Sequence, residues 1–363
     1  MNTKIVFENQ KHHITINPTL DCNLNCWYCS TEYAKAVHHG FMSEETVDAL
    51  KKHISFLIND KRIPALHLDW FGGEPLMYFT EVVEPIARYA FALASENNVL
   101  FTQHATTNSV LMTEEMIKRM ADVHFTSYQI TLDGNEHRHD IIKHNADKSG
   151  TFKKVINNIN LLAEMIPNVS ITLRINYDKK TLYGIEEVIP LITENARKHI
   201  CIDFERVWQI ELNDKDYEQL DRVKSIFEAN NFCIYSAIYK PKKFFRCYAD
   251  KFHHYVINYD GRVVKCTAQD YSDDKIIGVL QLDGQIKWND KLLSKYFSYS
   301  TFDNEKCRKC KMLPVCMGPC IAKCKTAREK GWAMPCFMDN PQYSPEKFII
   351  SEAKKRNMLM GEE

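Results

Sequence analysis

Two periodicities alternate along the first two hundred or so residues. Segments dense in β-branched and aromatic residues read as strands: ITINPTL (14–20), ALHLDWF (65–71), LFTQHATT (100–107), SYQITLD (127–133), VSITLRIN (169–176) and IDFERVWQI (202–210). Several are nearly continuous apolar runs, the pattern expected of strands buried on both faces. Between them apolar residues recur at helical spacing. SEETVDALKKHISFLI (43–58) opens on Ser43, a capping residue, followed by Glu44 and Glu45, which suit the positive end of a helix. Six such βα units predict a parallel sheet with right-handed crossovers. Six rather than eight predict an open, partial (β/α)6 TIM-like barrel.

The pattern then changes. Residues 211–246 read as a helix and a short connection ending in the basic stretch KPKKFFR (240–246). From 247 the strands shorten, and Asp-Gly pairs at 260–261 and 283–284 predict hairpins. A last helix is expected from Ser344, with Pro345 at its first position. The predicted organisation is an α/β barrel domain over 1–215, a helical bridge over 216–246, a cysteine-rich domain over 247–341 and a C-terminal helix or tail over 342–363.

Composition narrows the possible roles. The 363 residues are 45% hydrophobic, enough for a sizeable core, and Lys plus Arg equals Asp plus Glu at 47 each. No global field therefore recruits nucleic acid or a membrane surface. The N-terminal MNTKIVFENQKHH lacks a signal-peptide layout, and no apolar run approaches the ~20 residues of a membrane span. The expectation is a cytoplasmic protein. Its 13 cysteines are segregated: three within 22–29, eight within 247–336, and only Cys201 and Cys233 between. Such clustering in an intracellular chain reads as metal ligation. Cys201 and Cys233, in apolar strand-like contexts, are expected to be inert core residues.

Cys22-Asn-Leu-Asn-Cys26-Trp-Tyr-Cys29 has the spacing CxxxCxxC directly after a predicted strand. Three thiolates on one tight loop can hold three irons of a [4Fe–4S] cube and leave the fourth open, as a catalytic metal requires. A degenerate zinc site is the alternative. The aromatic Tyr28 before Cys29 and the placement after the first strand resemble the radical S-adenosylmethionine (SAM) superfamily. That resemblance implies that SAM chelates the open iron and is cleaved to a 5′-deoxyadenosyl radical that abstracts hydrogen, with a flavodoxin- or ferredoxin-type protein as electron donor.

Other segments carry the same resemblance. Gly72-Gly73-Glu74-Pro75, ending the second strand, resembles the GGEP motif whose backbone and carboxylate bind the SAM ammonium. Thr131-Leu132-Asp133-Gly134 resembles S-x-D-G, with Thr131 in place of the usual Ser. Lys143 stands where many relatives have Arg, keeping the charge for the SAM carboxylate but losing the bidentate fork. Asn108 and Arg174 match positions that often touch the ribose and methionine parts. Capping or surface roles are the plainer alternative for Asn108, Thr131, Lys143 and Arg174.

The C-terminal pattern is Cys247-x13-Gly261-x4-Cys266, then Cys307-x2-Cys310-x5-Cys316-x3-Cys320, then Cys336. It resembles, term by term, the seven-cysteine motif of the SPASM domain, which extends radical SAM enzymes that modify peptides and proteins. A zinc ribbon could account for Cys307, Cys310, Cys316 and Cys320 alone. The resemblance implies that Cys247, Cys266 and Cys320 hold a first auxiliary [4Fe–4S] cluster, and Cys307, Cys310, Cys316 and Cys336 a second. The first is short of a ligand: an open site, Cys324 or His253 would complete it. Residues 301–330 carry eight Lys or Arg against three Asp or Glu, a charge that suits anionic clusters and equally suits a solvated face.

The leading functional expectation is a maturase that installs a thioether or carbon–carbon cross-link in a ribosomally made peptide. Formylglycine formation on a sulfatase, peptide epimerisation, another SPASM oxidation and simple electron transfer are the alternatives. Sulfatase maturases carry an Asp immediately after the cysteine matching Cys266; here that residue is Thr267, and the nearest acid is Asp270. With 21 residues before Cys22, leader recognition is expected to use the barrel, the cysteine-rich surface or a separate protein. The residue that takes the second proton is not indicated by any motif.

Overall fold

The computed structural model of the protein describes residues 11–29, 38–235, 247–299 and 301–336, with Glu346, Ile349, Ile350 and Ala353 beyond them in helical conformation. The KPKKFFR stretch lies outside the described residues, and so does most of the predicted C-terminal helix. Six parallel strands stand side by side in chain order: β1 (Lys11–Ile16), β2 (Ala65–Trp70), β3 (Leu100–Thr107), β4 (Phe125–Leu132), β5 (Ser170–Tyr177) and β6 (Ile200–Arg206). The short β7 (Cys233–Ile234) continues the sheet beside β6. On the other side β8 (His254–Ile257) pairs in parallel with β1, followed by antiparallel β9 (Arg262–Val264), β10 (Gly278–Leu280) and β11 (Ile286–Trp288). The sheet is open, its edges being β11 and β7, which agrees with the expectation of a barrel that does not close.

Two strands end four residues short of the sequence pattern. β1 ends at Ile16, before Pro18, which has no N–H to give to a ladder. β6 ends at Arg206, although the apolar run continues through Ile210. Helix starts follow the sequence closely. The helix Glu44–Ser55 is capped by Ser43, whose hydroxyl accepts the Thr46 N–H at 3.3 Å.

The strands are not buried alike on both faces, contrary to expectation. Along β3 and β5, after an exposed first residue, buried and half-buried residues alternate. One face carries Ile14, Leu66, Leu68, Phe101, Ile130, Leu173 and Ile175, all buried. The opposite face carries Thr15, Asp69, His104, Gln129, Thr131, Arg174 and Asn176. Successive side chains of a strand point to opposite faces, so polar residues spaced two apart and held in register collect on one face of the sheet.

Both expected hairpins form. Asp260-Gly261 turns β8 into β9 and Asp283-Gly284 turns β10 into β11, with φ of +80° at Gly261 and +86° at Gly284. The second turn is anchored to the first helix: His53 Nδ1 meets the Gly284 carbonyl at 2.8 Å, and His53 Nε2 meets Tyr255 Oη at 2.6 Å. Cys201 and Cys233 are not core residues. They are register partners in β6 and β7 and are joined as a disulfide at the sheet edge, with Cys233 exposed.

Backbone packing divides the chain into two compact units: residues 7–235 with 253–289, and 1–6 with 236–252 and 290–363. The smaller unit contains the helices Asp290–Phe297, Glu305–Arg308, Leu313–Cys316 and Ile321–Lys330. Tyr296, Tyr299, Ile321 and Cys324 form its apolar cluster, with Phe297 and Met334 packed against it. Lys295 and Glu329 tie two of its helices at 2.8 Å.

Candidate functional site

The loop after β1 carries Cys22, Cys26 and Cys29, and the sheet fixes its base. Beyond β2 the Gly-Gly-Glu segment keeps pairing with the chain that leaves β1: Phe71 N–H donates to Ile16 O at 2.9 Å, Gly73 N–H to Thr19 O at 3.1 Å and Glu74 N–H to Asp21 O at 2.9 Å. A Cβ on Gly72 would lie 2.2 Å from Thr19 O, and one on Gly73 2.0 Å from Asp21 O, so only glycine allows this approach. The Asp21 carboxylate accepts from His39 N–H at 2.9 Å and Gly40 N–H at 3.1 Å, which pins the far end of the loop beside its start.

Glu74 is 1% exposed and caps the short helix Pro75–Tyr78. Its carboxylate accepts from Thr107 Oγ1 at 2.7 Å, Asn108 N–H at 2.7 Å and Leu76 N–H at 3.1 Å. A carboxylate has about four lone-pair sites, so these three bonds orient Glu74 and leave capacity for one more donor. Burial raises its pKa, against the lowering effect of those bonds. Asn108 Nδ2 reaches Asn23 Oδ1 at 2.8 Å and Cys22 Sγ at 3.8 Å, and thereby joins the end of β3 to the cysteine loop.

A second group of side chains meets at Cys26. Tyr28 Oη donates a short hydrogen bond to Asp133, which is fully buried after β4. Lys143 Nζ lies 3.6 Å from the same carboxylate and 3.4 Å from Cys26 Sγ. Burial by itself would lower Lys143, but Tyr28, Asp133 and Cys26 outweigh it and hold the ammonium well above the ordinary lysine range. Asn176 Nδ2 bridges Tyr28 Oη at 3.1 Å and Asp133 Oδ1 at 3.3 Å, and Gln209 Nε2 donates to the Tyr28 carbonyl at 2.9 Å. His139 Nδ1 accepts the Asp133 N–H at 3.2 Å. Burial, then Lys143, push His139 down to about 3, so the ring is neutral.

Of the residues singled out from sequence, Tyr28, Lys143 and Cys26 therefore meet at Asp133, while Glu74, Asn108 and Cys22 meet at the end of β3. Arg174 lies in register with Thr131, and its guanidinium faces Asn176 at 3.1 Å, Asp203 at 3.6 Å and Glu205 at 4.0 Å. Sequence reasoning assigned no role to Asp133, Asn176, His139, Thr107 or Gln209. Asp133 was within reach, since it lies inside the Thr-Leu-Asp-Gly motif. Asn176 is two residues past Arg174, and hence on the same face of β5.

In the larger unit Cys266 is buried at the end of β9, its Sγ accepting the Ala268 N–H at 3.4 Å. Asp270 nearby binds Lys275 and Ser272; although burial opposes it, these partners hold its carboxyl down to about 2. His253 packs against His12, the rings tilted by 33° with centroids 4.3 Å apart. In the smaller unit Cys247 precedes the turn Tyr248–Asp250, and Cys320 caps the helix Ile321–Lys330. Cys307 and Cys316 sit on the short helices, with Cys310 N–H donating to Cys307 O at 3.1 Å. Burial raises the Cys316 thiol, and the neighbouring charges of Cys336, Cys307 and Cys310 raise it further. Cys324 is fully buried in the apolar cluster.

The donor set of the first loop, three soft thiols with N–H groups turned to the sulfurs of Cys22 and Cys26, fits an iron–sulfur cluster. Among the described residues no helix is long and apolar enough to cross a membrane. Residues 16–183 match the family model of the radical SAM superfamily. A cysteine-type anaerobic sulfatase-maturating enzyme of Clostridium novyi (strain NT) is 22% identical over 83% of this chain and 85% of its own length. A serine-type anaerobic sulfatase-maturating enzyme of Bacteroides thetaiotaomicron is 29% identical over 39% of this chain, and the match spans only 34% of that enzyme's length. The sporulation killing factor maturation protein SkfB of Bacillus subtilis is 23% identical over 58% of this chain and 51% of its own. In fold the chain resembles anSMEcpe bound to AdoMet and the Cp18Cys peptide, with a TM-score of 0.63 at 19% identity over 85% of this chain and 89% of that one. It also resembles Streptococcus suis SuiB bound to its precursor peptide SuiA, with a TM-score of 0.60 at 17% identity over 87% of this chain and 73% of that one. With the cysteine loop and the Gly-Gly-Glu pairing in place, residues 16–183 carry a radical SAM domain and the chain is an enzyme of that type.

Proposed function

We propose that this enzyme is a peptide maturase that installs an oxidative cross-link, a thioether or carbon–carbon bond, in a ribosomally made peptide. Cys22, Cys26 and Cys29 would hold the catalytic [4Fe–4S] cluster, which together with SAM supplies hydrogen-atom abstraction. Glu74, held by Thr107, Asn108 and Leu76, would take the SAM ammonium with its remaining lone pair. Gly72 and Gly73 keep the backbone beside the loop open, while Asn108, Thr131, Lys143, Arg174 and the backbone near Tyr28 would line the cofactor. Cys247, Cys266 and Cys320, with Cys324, His253 or an open position, would hold a first auxiliary cluster. Cys307, Cys310, Cys316 and Cys336 would hold a second, and a flavodoxin- or ferredoxin-type protein would supply electrons.

The observation that carries the cross-linking reading is the residue after Cys266. A formylglycine former needs a proton acceptor there; this chain has Thr267, and Asp270 is engaged by Lys275 and Ser272. Two auxiliary clusters would also take up the second electron that an oxidative cross-link releases. The match along 85% of the Clostridium novyi enzyme favours formylglycine formation as the second reading. Mass and isotope separate them. Incubated anaerobically with reductant, SAM and the cognate peptide, the enzyme should give 5′-deoxyadenosine and a peptide lighter by two hydrogens. Epimerisation would leave the mass unchanged and take up deuterium from heavy water. A hydrazine-trappable aldehyde on a sulfatase peptide would overturn the proposal.

A further inference from the structure

The polar face of the sheet holds a second constellation of ligating side chains, away from every cysteine motif in the sequence. His13 on β1 is the register partner of His67 on β2, so the two imidazoles project from adjacent strands on one face. Asp69, two residues beyond His67, projects from the same face. His67 Nε2 lies 3.0 Å from Asp69 Oδ1, and His13 Nε2 makes a short contact with Asp69 Oδ2. One ligand atom from each of the three residues falls within 4.8 Å of the others.

We propose that His13, His67 and Asp69 form a binding site for a divalent first-row transition-metal ion. Two imidazoles and one carboxylate, with a remaining position open to solvent or ligand, are the donor set of open zinc sites. The arrangement around them is that of a supported site. His67 Nδ1 lies 2.7 Å from Thr102 Oγ1 on β3. In the absence of an ion His67 Nε2–H donates to Asp69; when an ion replaces that proton, Nδ1–H donates to the Thr102 hydroxyl, the tautomer that metal-bound histidines adopt. The His13 and His67 rings stand edge to face at 84° with centroids 4.6 Å apart, and both Nε2 atoms contact the Asp69 carboxylate. The neighbouring histidines have other engagements: His254 Nε2 is 3.2 Å from Thr15 Oγ1, and His104 Nδ1 is 2.8 Å from Ser127 Oγ. Side-chain exposures of 10% for His13, 17% for His67 and 21% for Asp69 leave an ion a path from solvent. All three ligands sit on strands, so the site is formed by the sheet register itself and needs no loop closure.

Zinc is a suitable probe, because it is redox-inert and its nitrogen and oxygen ligation differs in length from its sulfur ligation. Cluster-loaded protein, desalted and titrated anaerobically with Zn2+, should retain one zinc per chain. X-ray absorption at the zinc edge should then show nitrogen and oxygen neighbours at about 2.0–2.2 Å. Asp69→Asn and His67→Gln should each weaken zinc retention at least tenfold while their iron content stays at the wild-type level. No retained zinc would overturn the proposal, as would zinc surrounded only by sulfur at about 2.3 Å, which would place it on the cysteines. Retention unchanged in both variants would overturn it as well. Should one variant fail to fold, the other and the wild-type ligand distances still decide.

Discussion

The two cysteine regions are built on opposite principles. At the N-terminal loop the protein supplies the frame. Gly73 and Glu74 pair with the backbone at Thr19 and Asp21, the Asp21 carboxylate holds the far end of the loop, and Asp133 gathers Tyr28 and Lys143 beside Cys26. In the smaller unit the cysteines sit on helices of four residues or at helix ends, around an apolar cluster of Tyr296, Tyr299, Ile321 and Cys324. A framed site keeps its shape whether or not it is loaded. A site made of short helices around a small core would depend on the proposed metal for much of its folding energy.

The largest test of that difference is metal removal. Chelation under reducing conditions should unfold the smaller unit, seen as rapid hydrogen exchange and proteolysis over 301–336, while β1–β6 remain protected. Equal protection of both regions would erase the distinction. Replacing Cys22, Cys26 and Cys29 with Ala should remove about four iron per chain, abolish 5′-deoxyadenosine formation and leave the sheet intact.

Next in size is the buried ion pair that frames the first loop. Asp133→Asn leaves the Lys143 ammonium buried without its carboxylate, and Tyr28 without its strongest acceptor. Loss of one partner of such a pair costs about 3–5 kcal/mol, which should appear as a lower denaturant midpoint. An unchanged midpoint would mean that Lys143 relaxes toward solvent.

Glu74→Gln should be milder and should fall on binding. Removing the charge-assisted hydrogen bond proposed between Glu74 and the SAM ammonium should cost on the order of 1.5–3 kcal/mol of SAM affinity, with cluster iron unchanged. If iron falls together with SAM affinity, Glu74 acts on the loop and not on the cofactor.

The smallest effect is a pH slope. His139, beneath Asp133, is held neutral at about 3 against an ordinary 6.5. The unfolded chain therefore takes up a proton that the folded chain refuses. The stability this contributes is complete above about pH 6.5 and is lost as pH falls toward 3. His139→Gln should flatten that part of the stability profile by up to about 1.4 kcal/mol per pH unit. A profile identical to the wild type would show that His139 titrates normally.

Local pattern settled a good part of this protein. The strand runs, the Ser43 cap, the two Asp-Gly turns and the CxxxCxxC and Gly-Gly-Glu motifs are each written within a few consecutive residues, where spacing dictates geometry directly. What the sequence could not specify are meetings across the sheet. Tyr28 finds Asp133 across 105 residues, and Lys143 finds Cys26 across 117, because parallel strands place the ends of successive βα units side by side. The same register sets His13 beside His67 and Cys201 beside Cys233, and brings β8 from the cysteine-rich half of the chain against β1. The strands read as buried on both faces because their polar residues are few and spaced two apart. Only the pairing register of the strands decided that those residues share one polar face of the sheet. Register arises from packing between segments far apart in the chain, so no stretch of sequence carries it alone.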